Sequence, residues 1–343
     1  MPDPSVVGID PEAVTRWFDQ LSVGFTGPLQ FARIGLGQSN LTYLVRDADD
    51  RRWVLRRPPL GQLLASAHDI AREARIMAAL APTDVPVPQI LGVAKGPDIA
   101  DVPLVLMEFI DGQVVDAMSI AESLAPQRRR QIGVSLPMTL AKVHAVDIDA
   151  VGLSDLASHK PYAHRQLKRW AGQWERSKTR ELPELDDLTR RLVAAAPEQR
   201  ELSLVHGDFH LRNVIVSRDT GAVIGALDWE LSTLGDPLAD MGTLLAYWTE
   251  PGEDFGDFPA STLDGFPDRA ELARIYLDQT GRDPHALTYW HTLGLWKIAI
   301  IAEGVMRRAM DTRQNKAASG TPTIKWIHAF VDAARELADA EGI

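Results

Sequence analysis

The chain has 343 residues, of which 45% are hydrophobic, and a formal net charge of −11. This length and composition predict a globular protein with either one large domain or two lobes that each have a core. Cysteine is absent, which excludes disulfide bonds, thiolate metal sites and a cysteine nucleophile. The acidic balance offers no electrostatic footprint for nucleic acid, so we expect a small-molecule substrate.

The sequence predicts neither an export signal in its first residues nor a membrane span in its most apolar late segment. The first residues, MPDPSVVGIDPEAV, lack a basic segment followed by an apolar run. The apolar segment YWHTLGLWKIAIIAEGVMRR is interrupted by Lys297 and Glu303, well short of the roughly 18 apolar residues that a span requires. We therefore expect a buried helix there, no membrane contact and a cytoplasmic location.

The first third of the chain predicts a sheet with two helices. Asp10 before Pro11 is a typical helix start, and an apolar stripe follows it. Three strand-like runs come next (LQFARI, LTYLVRD and RRWVLRR), which predict an antiparallel meander. The segment SAHDIAREARIMAAL has helical spacing, and the runs ILGVA and VPLVLMEF predict two further strands.

From about Ile110 the pattern becomes mostly helical. The sequence therefore predicts an α+β protein with an N-terminal sheet lobe, residues 1–109, and a larger, mainly helical C-terminal lobe, residues 110–343. A cleft is expected between the two lobes.

The stretch LVHGDFHLRNVIVS, residues 204–217, places polar side chains between two buried strand-like runs. SRDTG then predicts a turn, and AVIGALD predicts a strand that ends at Asp228. This hairpin is expected to bring the oxygen atoms of Asp208, Asn213 and Asp228 together. Each of them alone is more often a turn or cap residue, but the set has the chemistry that phosphoryl transfer needs: a carboxylate for the attacking hydroxyl and hard oxygen ligands for Mg²⁺.

Two longer motifs give the sequence a recognisable family likeness. HGDFHLRN followed by ALDWELSTLGDPLADMG resembles the catalytic loop and metal-binding segment of the aminoglycoside phosphotransferase and choline kinase family, which has a bilobal protein-kinase-like fold. The likeness extends to GLGQSNLTYLV as a phosphate-covering loop, REARIMAAL as a helix with an ion-pairing glutamate, and LVLMEFIDG as a hinge.

The resemblance implies a role for individual positions. Asp208 is the expected catalytic base, and Asn213 and Asp228 are the expected Mg²⁺ ligands. Expected contacts to ATP come from Gly35, Gly37, Ser39, Asn40, Arg56, Glu73, Met107, Glu108, Phe109 and His210. Taken alone, the glycine loop is more often a hairpin turn, but together with Asp208, Asn213 and Asp228 it favours a phosphate-covering loop. His210 could contact the transferred phosphate or only pack, whereas His206 is expected to support the loop.

The third strand, RRWVLRRPP, departs from the family because it has no lysine. Strand alternation puts Val54 and Arg56 on one face and Trp53, Leu55 and Arg57 on the other. Arg56 is thus the candidate phosphate ligand and the expected partner of Glu73. A guanidinium differs from an ammonium in shape and reach, so a nucleotide-binding module without turnover is the alternative function.

The expected activity is ATP-dependent transfer of the γ-phosphate to a hydroxyl of a small molecule. The chain most resembles kinase domains associated with acyl-CoA dehydrogenases, which implies a hydroxyacyl-CoA-type acceptor, with an aminoglycoside-like acceptor as the alternative. Aromatic helix faces around Trp170, Trp174, Trp290 and Trp296 are expected to be core; the alternative is that some line the cleft, where they would suit an apolar or acyl group. Asp236 before Pro237 is interpreted as a helix cap that could also support the catalytic loop.

Overall fold

The computed structural model describes residues 7–35, 40–60, 69–94, 96, 99–256, 258–311 and 321–343. The chain divides into two compact units. The first comprises Met1–Asp111 together with Gly225–Glu230, and the second comprises Gly112–Ile224 together with Leu231–Ile343. The first unit therefore takes up a short stretch from the second half of the sequence.

The first unit is built on a five-stranded antiparallel sheet. Its strands are β1 (Gln30–Ile34), β2 (Leu41–Arg46), β3 (Arg52–Arg57), β4 (Ile90–Ala94) and β5 (Leu104–Glu108), and its helices are α1 (Pro11–Leu21) and α2 (Ile70–Leu80). The order β1-β2-β3-β5-β4 makes the first three strands a meander and puts β4 at an edge. The α+β class and the antiparallel N-terminal sheet are thus as predicted.

The core of this unit follows from strand alternation and one helix face. In β3, Trp53, Leu55 and Arg57 are buried while Arg56 lies on the opposite, partly open face, as the period of two predicts. Phe18 of α1 packs edge-on against Trp53, with ring centroids 5.4 Å apart. The Asp10 side chain caps α1 by accepting from the backbone N–H groups of Glu12 and Ala13.

The second unit is mainly helical. Its helices are α3 (Met118–Ser123), α4 (Pro126–His144), α5 (Tyr162–Ser177), α6 (Pro183–Ala194), α7 (Leu238–Tyr247), α8 (Arg269–Thr280), α9 (Pro284–Asp311) and α10 (Ile324–Glu341). Two short two-stranded sheets pair β6 (Ser203–Val205) with β9 (Thr233–Gly235) and β7 (Val214–Val216) with β8 (Val223–Ala226). Trp170, Trp174, Trp290 and Trp296 are buried in the core of this unit.

Helices α7 and α9 cross with their backbones in contact. A Cβ atom on Gly242 would lie 2.3 Å from the backbone carbonyl of Trp290, and a Cβ on Gly294 would lie 2.8 Å from the carbonyl oxygen of Gly242. Only glycine permits so close an approach at these two positions. The crossing fixes α9, which carries Lys297, against the helix that carries Asp240.

Two sequence-based expectations need adjustment. The strand expected to end at Asp228 is shorter, because β8 ends at Ala226 and Trp229–Leu231 forms a 3₁₀ turn. The acidic segment that precedes α8 has the Gly, Pro and Asp content that is typical of a surface loop, but its Phe255, Phe258 and Ser261 line a cavity of the second unit. Aromatic side chains in this segment gain more from burial than its charged composition suggests.

Within the residues described, no helix has both the length and the apolar character needed to cross a bilayer.

Candidate active site

The catalytic-loop candidate starts immediately after β6. Gly207 has φ +86, and a Cβ there would lie 2.6 Å from the carbonyl oxygen of Leu231, so this turn requires glycine. The His210 side chain accepts a hydrogen bond from the N–H of Arg212, which caps the 3₁₀ turn Leu211–Asn213. The turn brings Asn213 back to the Asp208 side chain.

Asp240 holds the start of this loop from α7. Its carboxylate accepts from the backbone N–H of His206 at 2.6 Å and from that of Gly207 at 2.8 Å. The His144 Nε2 atom lies 3.1 Å from the same carboxylate, and His144 Nδ1 lies 2.6 Å from the Tyr276 hydroxyl. Charge-assisted hydrogen bonds of this kind are strong in a buried setting, so the first residues of the loop are held firmly in place.

Asp208 lies at the centre of the loop with one carboxylate oxygen engaged. Its Oδ2 accepts from Asn213 Nδ2 at 3.2 Å and lies 3.6 Å from His210 Nε2. Its Oδ1 is a buried atom that has no hydrogen-bond partner among the described residues. A buried oxygen without a partner is costly, which suits an atom that receives a hydrogen bond from a substrate.

The electrostatic surroundings keep Asp208 ionised. Burial alone would raise its pKa, but His210, Lys297 and His206 outweigh burial and hold the pKa well below its usual range. The pKa of the nearby Tyr247 hydroxyl is raised well above its ordinary value, first by burial and then by the Asp208 carboxylate. Asp208 is therefore a carboxylate at neutral pH, able to orient and accept a proton from an attacking hydroxyl.

A cavity of about 230 Å³ adjoins the loop inside the second unit. His210 and Tyr247, whose ring centroids are 4.4 Å apart, form its wall on the side of the loop. The rest of the lining is mostly apolar and includes Phe255, Phe258, Ile298, Ile301, Trp326 and Phe330. Among the described residues, no aspartate, glutamate or lysine lines this cavity.

The first unit presents a second group of candidate residues around Glu73. Arg56 Nη1 and Glu73 Oε2 form a partly buried ion pair at 2.9 Å, and Asn40 Nδ2 donates to Glu73 Oε1 at 3.3 Å. The pKa of Glu73 is raised, chiefly by burial, with Arg56 opposing and Asp228 adding to the rise. The expected pairing of Glu73 with a basic residue of the third strand is thus present, with arginine as the cation.

Carboxylates from three positions of the first unit could hold a cation. Ligand atoms of Glu73, Asp228 and Glu230 all lie within 4.8 Å of one another. Asp228 Oδ1 is buried without a hydrogen-bond partner among the described residues, and Asp228 has φ 66. In the second unit, Asn213 donates from its amide nitrogen to Asp208, and its role as a metal ligand stays a prediction. The hard carboxylate oxygens fit Mg²⁺.

The remaining predicted nucleotide contacts lie in or beside the sheet. Gly35 has φ +77 and open space where a Cβ would point, while Gly37 and Ser39 lie outside the described residues. Met107 is buried, and the exposed Glu108 accepts from the N–H of Gln89 at 3.3 Å. The Arg52 guanidinium lies 4.4 Å from the centre of the Phe109 ring. Their roles toward nucleotide stay predictions.

Three residues of this region were not identified as functional from the sequence. Asp240 lies within the quoted segment ALDWELSTLGDPLADMG without a predicted role, and Lys297 was noted only as an interruption of an apolar segment. A charged residue in the buried part of a helix is rare, so Lys297 carried a signal that the sequence analysis did not use. Tyr247 carried none, because an aromatic residue at the end of an apolar helix is usually core.

Comparison with known proteins identifies the family of the chain. A model of the phosphotransferase enzyme family matches residues 30–290. The chain belongs to the phosphotransferase enzyme family. A crystal structure of a Ralstonia eutropha protein, provisionally assigned as an aminoglycoside phosphotransferase, is 30% identical with a TM-score of 0.78 and covers 96% of this chain and 99% of that one.

Two more distant phosphotransferases share the fold alone. These are APH(2'')-IIa in its ternary complex with streptomycin and ATP (19% identical, TM-score 0.58, covering 90% of this chain and 95% of that one), and Plasmodium vivax ethanolamine kinase (12% identical, TM-score 0.58, covering 91% and 83%). These two likenesses show that this phosphotransferase family member shares their fold.

Curated relatives of the chain are longer proteins. Mouse acyl-CoA dehydrogenase family member 10 is 36% identical over 92% of this chain and 30% of its own length. Rat acyl-CoA dehydrogenase family member 11 is 36% identical over 79% of this chain and 35% of its own length. The phosphotransferase chain thus spans about a third of each of these relatives.

Proposed function

We propose that this chain is a small-molecule kinase that transfers the γ-phosphoryl group of ATP to an alcohol. The observation that carries the proposal is the Asp208 carboxylate, which is held ionised, bonded to Asn213 through one oxygen, and has its other oxygen buried without a partner among the described residues. An acceptor hydroxyl would donate to that free oxygen, and Asp208 would take its proton as the bond to phosphorus forms.

The predicted ligands of the nucleotide and its metal are each supported by their own contacts. Asn213 and Asp228 would be the Mg²⁺ ligands, supported by the unpartnered oxygen of Asp228 and the available amide oxygen of Asn213. Bound Mg²⁺ would neutralise charge on the phosphate oxygens. Arg56, held by Glu73, would contact phosphate, with Gly35, Gly37, Ser39 and Asn40 covering it, while Met107, Glu108 and Phe109 would border the adenine.

The cavity beside Tyr247 supports a particular class of acceptor. An aminoglycoside is a polycation, and the described lining offers it no carboxylate. An acyl chain suits an aromatic and aliphatic cavity. The acyl-CoA dehydrogenase names of the relatives point to the same class of molecule. We therefore favour a hydroxyacyl-CoA-type acceptor over an aminoglycoside-like one.

The first experiment measures ADP release from MgATP with a panel of hydroxyacyl-CoA thioesters, choline-like alcohols and aminoglycosides. Acceptor-dependent release is expected with a thioester, and Asp208→Asn is expected to reduce it by at least ~10³-fold while MgATP still binds. The binding readout is the shift of the unfolding midpoint by MgATP. Full activity of Asp208→Asn would contradict the proposed role of Asp208.

The second candidate function is nucleotide binding without turnover. Arg56, where the family has lysine, is the observation that favours it, because a guanidinium bound to Glu73 reaches phosphate differently from an ammonium. This function requires that MgATP stabilises the protein while no acceptor is phosphorylated. Arg56→Lys would then create activity that the natural sequence lacks.

A further inference from the structure

Lys297 is a buried cation near the middle of α9. Its residue is 5% exposed, and the positions around it on the helix are buried as well. A buried ammonium is costly unless it is bonded and electrostatically balanced. Among the described residues, Lys297 has no carboxylate within ion-pair distance, so its charge has a different partner.

That partner is the backbone of the catalytic loop. Lys297 Nζ donates to the carbonyl oxygen of Gly207 at 2.5 Å. The ammonium also lies 5.5 Å from the centre of the Trp170 ring, a cation–π distance that fixes the side chain from a second side. The charged groups that face it are Asp208 and Asp240, which favour the ammonium, and Arg169, which opposes it.

The bonded carbonyl belongs to the peptide unit that leads into Asp208. Since a peptide unit is planar, the oxygen of Gly207 and the N–H of Asp208 move together. The oxygen is held by Lys297, and the N–H donates to His206 Nδ1 at 3.3 Å. On the other side of Gly207, its own N–H is held by Asp240. The direction in which the Asp208 side chain leaves the backbone is therefore set from α9 as well as from α7.

We propose that Lys297 is a positioning residue for phosphoryl transfer, fixing the Gly207–Asp208 peptide so that the Asp208 carboxylate meets the acceptor hydroxyl. The proposal rests on the kinase function proposed above. The ammonium touches neither nucleotide nor acceptor in this scheme; it acts through the loop. Its long-range attraction for the Asp208 carboxylate adds to the same effect.

The test compares Lys297→Met with Lys142→Met, the same substitution at an exposed lysine of α4. Because a misplacement of about 1 Å can cost roughly 100-fold in rate, Lys297→Met is expected to lower kcat by at least about tenfold. KM for MgATP is expected to change less than twofold, since the ammonium does not contact the nucleotide. Lys142→Met should match the natural protein in both constants.

A double variant separates positioning from general damage. If Lys297 acts through Asp208, Lys297→Met adds no further loss of kcat to Asp208→Asn, whereas an unrelated structural defect adds its full loss. Lys297→Gln replaces Lys297→Met if the latter does not fold. It keeps a neutral donor for the Gly207 carbonyl, so its kcat is expected to lie between those of Lys297→Met and the natural protein.

Hydrogen exchange tests the same inference without turnover. Backbone amides of His206–Asn213 are expected to exchange at least about tenfold faster in Lys297→Met than in the natural protein, and at an unchanged rate in Lys142→Met. The rates are compared under conditions in which the variants have equal free energies of unfolding. Unchanged exchange in this loop, or an unchanged kcat, overturns the role of Lys297. Absence of turnover in the natural protein overturns the kinase function instead, and the exchange result still decides whether Lys297 holds the loop.

Discussion

Asp228 adopts a backbone conformation that aspartate seldom takes. Its φ of 66 lies in the left-handed region, and one oxygen of its carboxylate is buried without a partner among the described residues. Its charge also raises the pKa of Glu73, so the two carboxylates repel each other in the isolated chain. Strain and repulsion that persist at one residue are typical of a functional position, where a ligand relieves them.

Replacing Asp228 by glycine should separate stability from metal binding. Asp228→Gly is expected to raise the free energy of unfolding by ~1 kcal/mol, because glycine tolerates the left-handed region and the repulsion with Glu73 is removed. The same variant should lose the extra stability that Mg²⁺ adds in the presence of ATP, which is ~2.7 kcal/mol at 100 times the Kd. Urea denaturation with and without MgATP measures both effects.

Asp50 provides the matched control for this change. It is an exposed aspartate with φ 59, so Asp50→Gly relieves similar backbone strain away from the carboxylate cluster. We expect Asp50→Gly to keep the full response to MgATP. If MgATP stabilises Asp228→Gly just as much, Asp228 is not a metal ligand.

Sequence spacing identified residues whose function is local and left out those that act through distant contacts. Asp208 and Asn213 are five positions apart, and the structure joins them by hydrogen bonds. Asp240 and Lys297 reach the same loop from sequence separations of 33 and 90 residues. One sequence has no pattern that reports such tertiary contacts; only the cost of burying Lys297 hints at one.

At the scale of the element, the crossing of α7 and α9 depends on two glycines. Gly242→Ala would place a methyl group 2.3 Å from the Trp290 carbonyl, and neither helix backbone can give way without losing its own packing. We expect this variant to lower the free energy of unfolding by about 3 kcal/mol or more, as measured by urea denaturation. Because the crossing also places Lys297, kcat should fall with it.

Gly172 of α5 is the matched control for the crossing. An added Cβ there would meet only the guanidinium end of Arg176, at 3.3 Å. Gly172→Ala should therefore raise stability by up to ~1 kcal/mol through helix propensity. A rise in the free energy of unfolding in both variants would show that the backbone contact at Gly242 does not require glycine.

Most elements were predictable because each has a local signature. The Asp10 cap, the alternation in β3 and the turn before β8 all depend on neighbouring residues. The early end of β8 was not predictable, because Asp228 leaves the strand through a left-handed conformation that its sequence context does not reveal. The position of β5 between β3 and β4 in the sheet likewise depends on tertiary contacts that the sequence does not reveal.

At the scale of the whole molecule, one carboxyl group of the second unit should make stability depend on pH. Burial raises the pKa of Asp236 from 3.8 to about 6, even though its carboxylate accepts from the N–H of Leu238 at 3.0 Å. A carboxyl group with a raised pKa favours the folded state when it is protonated. Its contribution is complete below pH 3.8 and is lost as the pH rises through about 6.

The stabilising effect of Asp236→Asn should therefore increase as the pH rises. Asparagine keeps an acceptor for Leu238 but carries no charge, so the variant should gain ~2 kcal/mol relative to the natural protein between pH 4 and pH 7. Asp268→Asn, at an exposed cap of α8, corrects for loss of a carboxylate in general. An Asp236→Asn stability difference that is equal at pH 4 and pH 7 would contradict this assignment.

The division of the chain into lobes at residues 109 and 110 remains a prediction, and it describes two consecutive segments. The compact units are not consecutive, because Gly225–Glu230 belongs with Met1–Asp111. A linear pattern of strands and helices does not reveal that a short late segment returns to the first unit.

This return constrains how such a gene can change. A fragment that ends at Asp111 would carry Arg56 and Glu73 but would lack Asp228 and Glu230. One recombination event at the boundary could not exchange the whole sheet unit between two family members, since part of it is encoded more than a hundred codons downstream. Chimaeras of this chain should therefore be designed with two junctions.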